Sequence, residues 1–280
     1  MTTIFGFIPS PSKGILHLGP LPLHAYGLCL ALGVLVASWI AERRWEARGG
    51  KPGTIGEIGV IVVVSGVIGA RVYHLFTGYD WKAGGLAGTV KIWQGGLSIW
   101  GAVAGGALAV VIVAHRRKLP TLILLDAIGP GVAMAQAIGR WGNYFNQELF
   151  GRPTRLPWAL EIDRAHRPAQ YVNFTTFHPT FLYESLWCLV IVGVILWAEH
   201  RFRFRAGQTF ALYVAMYTFG RFFFELMRSD EATKVFGVRF NALLSAVLCV
   251  FGAVWFVMLG RRDRDARHIA ESTELGTPTT

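Results

Sequence analysis

The amino-acid sequence predicts an all-α membrane protein with seven transmembrane helices. Hydrophobic residues make up 53% of its 280 residues and charged residues only 16%, and the mean hydropathy is +0.42. A soluble globular chain carries about 25% charged residues, and a disordered chain needs low hydrophobicity, so neither class fits. Because seven apolar stretches are spread along the chain and take up about half of its length, we expect one integral membrane domain over residues 1–280 and no separate soluble domain.

Each apolar stretch is long enough to cross a bilayer as a helix, which takes about 20 residues. None shows the two-residue alternation of a β-strand. The predicted helices are 23–41, 55–76, 96–114, 121–138, 180–198, 207–227 and 241–260. Two pairs of small residues, Gly101 with Gly105 and Ser65 with Gly69, predict close packing between helices.

Lys and Arg residues are distributed unevenly among the segments outside these helices. One group of segments holds 14 Lys and Arg in 46 residues, and the other holds 10 in 87 residues. The denser group consists of 42–53, 115–120, 199–206 and 261–280, and the sparser group of 1–20, 77–94, 142–178 and 228–239. Since basic residues accumulate on the cytoplasmic side, we predict that the N-terminus lies outside and the C-terminus in the cytoplasm.

Two of these segments carry further predictions. Residues 142–178 form the longest connection, between helices four and five, and their prolines and scattered charges predict an irregular or partly helical outer head. Residues 261–280 form a charged cytoplasmic tail that we expect to be disordered beyond its first turn. The net charge of +10 is explained by the cytoplasmic bias, so we expect the lipid bilayer, and no nucleic acid, as a partner.

Several charged side chains fall inside the predicted helices, where a charge is costly and is therefore a candidate for function. Asp126 and Glu57 lie close to helix ends, so structural ion pairs or contact with the membrane surface explain them better. The remaining candidates are Arg71, Arg140, Glu184, Arg221 and Glu225.

The predicted topology places the unusual polar residues in one outer layer. This layer contains His24, Tyr26, Arg71, His74, Trp100, Arg140, Asn143, His178, Tyr183, Glu184, Tyr217, Arg221 and Glu225. A transporter would instead place polar groups at the midplane or through the full depth of the membrane. A phosphotransferase that builds phospholipids would need clustered aspartates for a divalent metal. The sequence has neither that cluster nor zinc-type spacing nor a phosphate-binding glycine loop, so we expect no metal and no cofactor.

The spacing of the polar residues groups some of them on single helix faces. Tyr217, Arg221 and Glu225 recur every four residues, which places them on one face, and Arg140 and Asn143 share a face at a spacing of three. Arginine stays charged in an apolar environment, and its planar fork donates two parallel hydrogen bonds to a phosphate. Two arginines that face one cavity therefore predict a site for a phospholipid headgroup.

Residues 139–151 read G-R-W-G-N-Y-F-N-Q-E-L-F-G. This stretch resembles the signature of the prolipoprotein diacylglyceryl transferase family, G-R-x-G-N-x-x-N-x-E-x-x-G, and it matches all seven fixed positions. Further motifs of the family follow in the same order at 23–27, 69–71, 93–98, 178–184 and 217–225, with Arg228 after the last.

The resemblance implies a multi-pass enzyme of the bacterial cytoplasmic (inner) membrane with its active site toward the outer face. The family transfers the diacylglyceryl group of phosphatidylglycerol to the thiol of the lipobox cysteine in a preprolipoprotein signal peptide. This reaction forms a thioether, releases glycerol phosphate and is the first step of lipoprotein maturation. The functional residues that the resemblance implies are Tyr26, Arg140, Asn143, Glu148, Gly151, Tyr217, Arg221 and Glu225.

The residues themselves add candidates to this set. Asn146, together with Asn143 and Glu148, is expected to order the glycerol hydroxyls, and Arg71 is a further candidate for binding phosphatidylglycerol. The substrate thiol, with a pKa near about 8.5, must lose its proton. His24 and His178 are candidate bases because both lie at the outer rim, and buried Glu225 is a third.

This sequence departs from the family pattern at one position. Some members have a histidine, proposed there as the base, where this chain has Trp100. We expect Trp100 to pack at the headgroup level of the membrane, where tryptophan is favoured. The thiol would then be deprotonated by one of the three candidates, or the field of the arginines would lower its pKa enough without a base.

Overall fold

The computed structural model is mostly helical, as predicted. It describes residues 7–11, 14–18, 21–78, 85, 88–91, 95–230 and 232–275, without the side chains of 16–22 and 262–275. Within these ranges there are seven α-helices: α1 Ala25–Glu46, α2 Thr54–Thr77, α3 Ile99–Arg116, α4 Thr121–Asn146, α5 Thr180–Arg201, α6 Gln208–Met227 and α7 Phe240–Leu275. Six of them are long and apolar enough to cross a membrane, and α6, which carries Arg221 and Glu225, is the exception.

Three short antiparallel strand pairs lie outside the helices, and one of them falls within the connection 142–178 that was predicted to be irregular or partly helical. These are β1 (Ile15–Leu18) with β2 (Leu21–His24), β3 (Leu160–Glu161) with β4 (Thr176–Phe177), and β5 (Lys234–Val235) with β6 (Val238–Arg239). Strands of two to four residues are too short to produce a readable alternation in the sequence.

Helix α4 is longer than predicted, because it continues past residue 138 to Asn146. It also passes through Pro130, which has no N–H to donate to the carbonyl of Asp126 one turn earlier. Arg44 Nη2 donates to that carbonyl instead, at 3.2 Å. The predicted outer head therefore begins later, and we call residues 147–179 the head segment.

Helix α7 also differs from the prediction, because it extends to Leu275 through most of the tail that was expected to be disordered. Residues 261–275 contain no glycine or proline and are rich in Arg, Ala and Glu, which have high helix propensity. The first residues that interrupt such a sequence are Gly276 and Pro278. The high charge of this segment therefore did not indicate disorder.

The chain forms two compact units, Met1–Ile40 with Ile128–Thr280 (unit 1) and Ala41–Ala127 (unit 2). In unit 2, α2 and α3 pack with their backbones almost in contact. A Cβ on Gly69 would lie 2.4 Å from the carbonyl oxygen of Gly101, and one on Gly105 would lie 2.5 Å from that of Ser65. The predicted packing of these small residues is confirmed.

Two hydrophobic clusters lie among the described residues of unit 1. The first lies among α4, α5 and α6 and includes Ala133, Ile191 and Tyr213. The second is centred on Phe150 and Phe177 and belongs mainly to the head segment, which thus has a small core of its own. This core fixes the head segment at one end of the unit 1 helices, which we call the head end.

Candidate active site

Three charged residues meet at the head end of unit 1, where α4 and α6 finish and α5 begins. Arg140 Nη2 lies 2.7 Å from Glu184 Oε2, and Arg221 Nη1 lies 3.1 Å from the same oxygen. The Glu184 side chain is only 4% exposed, and both arginines are partly buried. Two cations from different helices therefore share one buried carboxylate, and this charge arrangement defines the site.

Helix α6 presents the predicted face to this site. Arg221 Nη2 pairs with Glu225 Oε2 at 2.8 Å, one turn further along the helix. Tyr217, one turn earlier, interacts with the guanidinium of Arg140. The four-residue spacing of these side chains in the sequence is thus confirmed as a single polar face.

The signature residues extend the site from Arg140 towards the head segment. Arg140 Nη1 donates to Asn143 Oδ1 at 3.4 Å, and Asn143 Nδ2 donates to Glu148 Oε1 at 2.8 Å. Asn146 Nδ2 donates to the same oxygen of Glu148 at 3.3 Å. These bonds form a continuous polar path that links the arginine pair to Glu148.

Tyr26 lies beside this path, in the first turn of α1. Its ring covers Gly142, where a Cβ would lie 2.5 Å from Tyr26 Cδ2. Only glycine leaves room for the ring, which explains this position of the signature. From there Tyr26 interacts electrostatically with both Glu148 and Arg140.

A similar lack of space explains the glycine at position 151 of the signature. A Cβ on Gly151 would lie 2.7 Å from the Cβ of His178. The Gly151 N–H donates to the His178 carbonyl at 2.9 Å, and the His178 N–H donates to the Arg152 carbonyl at 3.1 Å. The two ends of the head segment are thus joined at this point.

His178 is the better enclosed of the two candidate histidines. Its Nδ1 lies 3.3 Å from the Tyr183 hydroxyl, which also accepts a hydrogen bond from Trp158 Nε1 at 2.9 Å. Burial lowers the pKa of His178 below the ordinary value of 6.5. The ring is therefore neutral at pH 7 and able to accept a proton.

His24 lies instead at a cavity of about 320 Å³ in unit 1. Two signature residues, Asn146 and Glu148, line the same cavity. The other lining residues are Pro11, Gly14, Ile15, Phe145, Gln147 and His166. The predicted residues His24, Asn146 and Glu148 are thus brought together, whereas His178 is not part of this lining.

Arg71 belongs to unit 2 and holds the backbone that precedes α3. Its guanidinium donates to the carbonyls of Thr89 at 2.8 Å, Gly95 at 3.0 Å and Gly96 at 3.1 Å. Trp100 lies in the first turn of α3 and is partly exposed. Trp93 and Gln94 of the family motif at 93–98 lie outside the described residues.

The sequence did not predict the contacts of two important residues. Glu184 was noted as a charge within a helix, but not as the group that joins the two arginines. Arg239 was only counted among the basic residues of a connection, yet its Nε lies 2.9 Å from Glu225 Oε1. No spacing rule could have found it, because the hairpin that carries it folds back onto α6.

Asp230 is a further member of this surrounding network. Burial alone would raise its pKa, but hydrogen bonds from Arg228 and the charges of Arg228 and Arg239 lower the pKa below its ordinary value. Asp230 is therefore a stable anion at neutral pH and holds these two arginines together.

Comparison with known proteins identifies the family. The family model described as prolipoprotein diacylglyceryl transferase matches residues 13–258. A phosphatidylglycerol–prolipoprotein diacylglyceryl transferase from Streptomyces coelicolor is 53% identical over 273 residues, which cover 96% of this chain and 86% of the relative. Relatives of the same name from Frankia alni and Corynebacterium efficiens are 49% and 47% identical, with 94% and 91% of this chain and 70% and 83% of the relatives covered. The chain therefore belongs to the prolipoprotein diacylglyceryl transferase family.

Proposed function

We propose that this protein transfers the diacylglyceryl group of phosphatidylglycerol to the lipobox cysteine of preprolipoproteins. The observation that carries the proposal, beside family membership, is the convergence of Arg140 and Arg221 on one buried carboxylate. The cysteine sulfur attacks the glyceryl carbon that bears the phosphate, a C–S bond forms and the C–O bond breaks. The glycerol phosphate leaves with the electron pair, and the thiol proton passes to a base.

Negative charge grows on the phosphate as the C–O bond breaks, and it must be stabilised for the reaction to proceed. Arg140 and Arg221 perform this role, because their guanidinium groups lie in a partly buried site where charge interactions are strong. Among the described residues, the connected ion pairs at this site contain four arginines and three carboxylates, so their formal net charge is +1. That surplus matches the single negative charge of a phosphodiester.

The other site residues bind and orient the lipid. Asn143, Asn146 and Glu148 bind the hydroxyls of the glycerol headgroup, which extends along the polar path into the cavity beside His24. Tyr26 and Tyr217 both interact with Arg140, one member of the arginine pair. Binding of phosphatidylglycerol by Gly151 and by Arg71 was predicted from the sequence and stays a prediction.

The proposal includes a seven-span topology in the bacterial inner membrane, with residues 1–280 as one membrane domain. Helix α6 is the span that is less apolar than the others. Its two charged residues, Arg221 and Glu225, both form ion pairs with neighbouring side chains. These pairs reduce the free-energy cost of placing charges inside the membrane. The excess of Lys and Arg in the predicted cytoplasmic segments supports an outer N-terminus, an outer head segment and an inner C-terminus.

The direct test is a transfer assay with purified protein in nanodiscs. The donor is phosphatidylglycerol radiolabelled in the glycerol carbons of its diacylglyceryl group, and the acceptor is a peptide that carries a lipobox cysteine. We expect the label to move to the peptide through a bond that resists hydroxylamine, as a thioether does. A matched peptide with serine in place of the cysteine should stay unlabelled. Absence of transfer to the cysteine peptide from an intact, folded preparation would refute the proposed function.

Histidine is the favoured base, because Glu225 is fully buried and its oxygens are occupied by arginines. Since His178 is already neutral at pH 7, activity that depends on it should fall only as the pH drops below 6.5. We therefore expect His178→Gln or His24→Gln to lose activity at pH 7 and to recover it as the pH approaches about 8.5, where the free thiol ionises.

The measurement is the transfer rate of each variant from pH 6 to pH 9, with His200→Gln as the control, because His200 is exposed in the last turn of α5, away from this cavity. Recovery in one variant identifies its histidine as the base. If neither variant recovers activity at higher pH, the histidines are structural. The positive charges of Arg140 and Arg221 would then lower the pKa of the thiol enough for it to ionise without a base.

A further inference from the structure

A second ion-pair network surrounds Glu225 at the head end of unit 1, beyond the residues that the mechanism uses. It is built by Arg228 and Asp230, which follow α6, and by Arg239, which ends the β5–β6 hairpin. Resting on the proposed function, we propose that Arg239 is a positioning residue that holds Arg221 in its productive orientation through Glu225.

The two oxygens of Glu225 have separate partners. Oε2 receives Arg221 Nη2 at 2.8 Å and Arg228 Nη1 at 3.4 Å. Oε1 receives Arg239 Nε at 2.9 Å and, more weakly, Asn241 Nδ2 at 3.5 Å. The Glu225 side chain is 0% exposed, so its carboxylate is held by protein groups and not by bulk water. Arg239 therefore fixes the plane of the carboxylate that orients Arg221.

Arg239 is itself fully engaged. Besides the bond to Glu225, its Nη1 donates to the Asp230 carbonyl at 2.7 Å and its Nη2 pairs with Asp230 Oδ2 at 3.1 Å. Its side chain is 12% exposed. Because all three nitrogens of the guanidinium are bonded to protein groups, Arg239 acts on the reaction through Glu225 and not by binding the phosphate.

Asp230 makes the arrangement rigid. Its two carboxylate oxygens accept hydrogen bonds from Nε and Nη2 of Arg228, each at 2.7 Å. Two parallel hydrogen bonds of this kind are the favoured geometry between arginine and a carboxylate. One carboxylate thus locks Arg228 and Arg239 together, and both contact Glu225. The hairpin is connected to the end of α6 through charged groups of fixed geometry.

The loss of Arg239 would leave Glu225 Oε1 with only the long hydrogen bond from Asn241. A buried carboxylate in this position rotates to recover a strong partner, and the nearest one is Arg221. Rotation would draw the guanidinium of Arg221 towards Glu225 and away from Glu184. A displacement of this kind lowers the rate of the chemical step more than it weakens binding of the lipid.

The test compares Arg239→Gln and Arg239→Lys with the wild type in the nanodisc transfer assay. We expect Arg239→Gln to lower kcat by at least about tenfold while KM for phosphatidylglycerol changes by less than about threefold. Arg239→Lys should not restore kcat, because the single nitrogen of an ammonium group cannot replace the three separate donor nitrogens that Arg239 uses. Lys234→Gln is the matched control: Lys234 is exposed and lies opposite Arg239 in the same hairpin, so kcat should not change.

Thermal unfolding of the same preparations separates positioning from folding. The proposal is overturned if kcat of folded Arg239→Gln equals that of the wild type, if lysine restores it fully, or if the loss only follows the fraction of unfolded protein. An inactive wild type would instead refute the proposed function itself.

Discussion

Substitution of Arg140 or Arg221 by alanine should abolish transfer of the diacylglyceryl group. Removal of one donor that stabilises developing negative charge typically costs about 10²–10³ in rate, and each of these arginines supplies a full positive charge as well. Lysine at either position should restore only a small part of the activity, since a point charge lacks the paired donors of the fork. The measurement is kcat with labelled phosphatidylglycerol and a lipobox peptide.

Arg155→Ala is the matched control, because Arg155 is an exposed arginine in the head segment of the same unit. Its activity should equal that of the wild type. Cell fractionation should show that the inactive variants are present in the membrane fraction. Gel filtration of the purified variants should show that they are folded. Near-normal turnover by Arg221→Ala would remove this arginine from the mechanism, and the same holds separately for Arg140.

The replacement of Glu184 by alanine should have the largest effect on stability. It leaves two partly buried guanidinium groups without their shared anion, and loss of one partner from a buried ion pair costs about 3–5 kcal/mol. We expect a lower unfolding temperature together with loss of transfer. The unfolding temperature and the transfer rate of Glu184→Gln should lie between those of the wild type and Glu184→Ala, because the amide oxygen still accepts a hydrogen bond but carries no charge.

Glu161→Ala provides the comparison for Glu184→Ala. Glu161 lies in β3 of the head segment and forms its contacts mainly through the backbone. Its removal should leave both the unfolding temperature and the transfer rate close to those of the wild type. If Glu184→Ala were as stable and as active as that control, the shared carboxylate would have no role in the site.

The helices could be predicted from the sequence because a long apolar stretch has few other stable forms in a bilayer. Their ends were less certain, since hydropathy falls wherever polar residues begin. The prediction for the fourth helix stopped at residue 138, yet the helix continues through Arg140 and Asn143 to Asn146. The residues that end the hydropathy signal there are the same residues that build the site.

The composition of the site was predictable in part for a similar reason. Spacing relates residues within one helix, so the face of Tyr217, Arg221 and Glu225 was correctly identified. Contacts between helices depend on how the elements pack, and no spacing encodes them. That Glu184 would join arginines from α4 and α6, and that Arg239 would reach Glu225, could therefore be recognised only in three dimensions.

The carboxylate that Arg140 and Arg221 share has a consequence for which anions the proposed site accepts. The resting arginines already hold a counter-ion, so any ligand must compete with Glu184 and cannot simply fill a vacancy. Chloride is a single point charge, so we expect little gain in free energy when it replaces Glu184 as the partner of the arginines. A phosphodiester offers two oxygens to the planar forks and is held near the site by its acyl chains. The glycerol phosphate that leaves has no such anchor, so the return of Glu184 to the arginines would help to expel it. In the proposed mechanism, one buried glutamate would thus select among incoming anions and also promote release of the product.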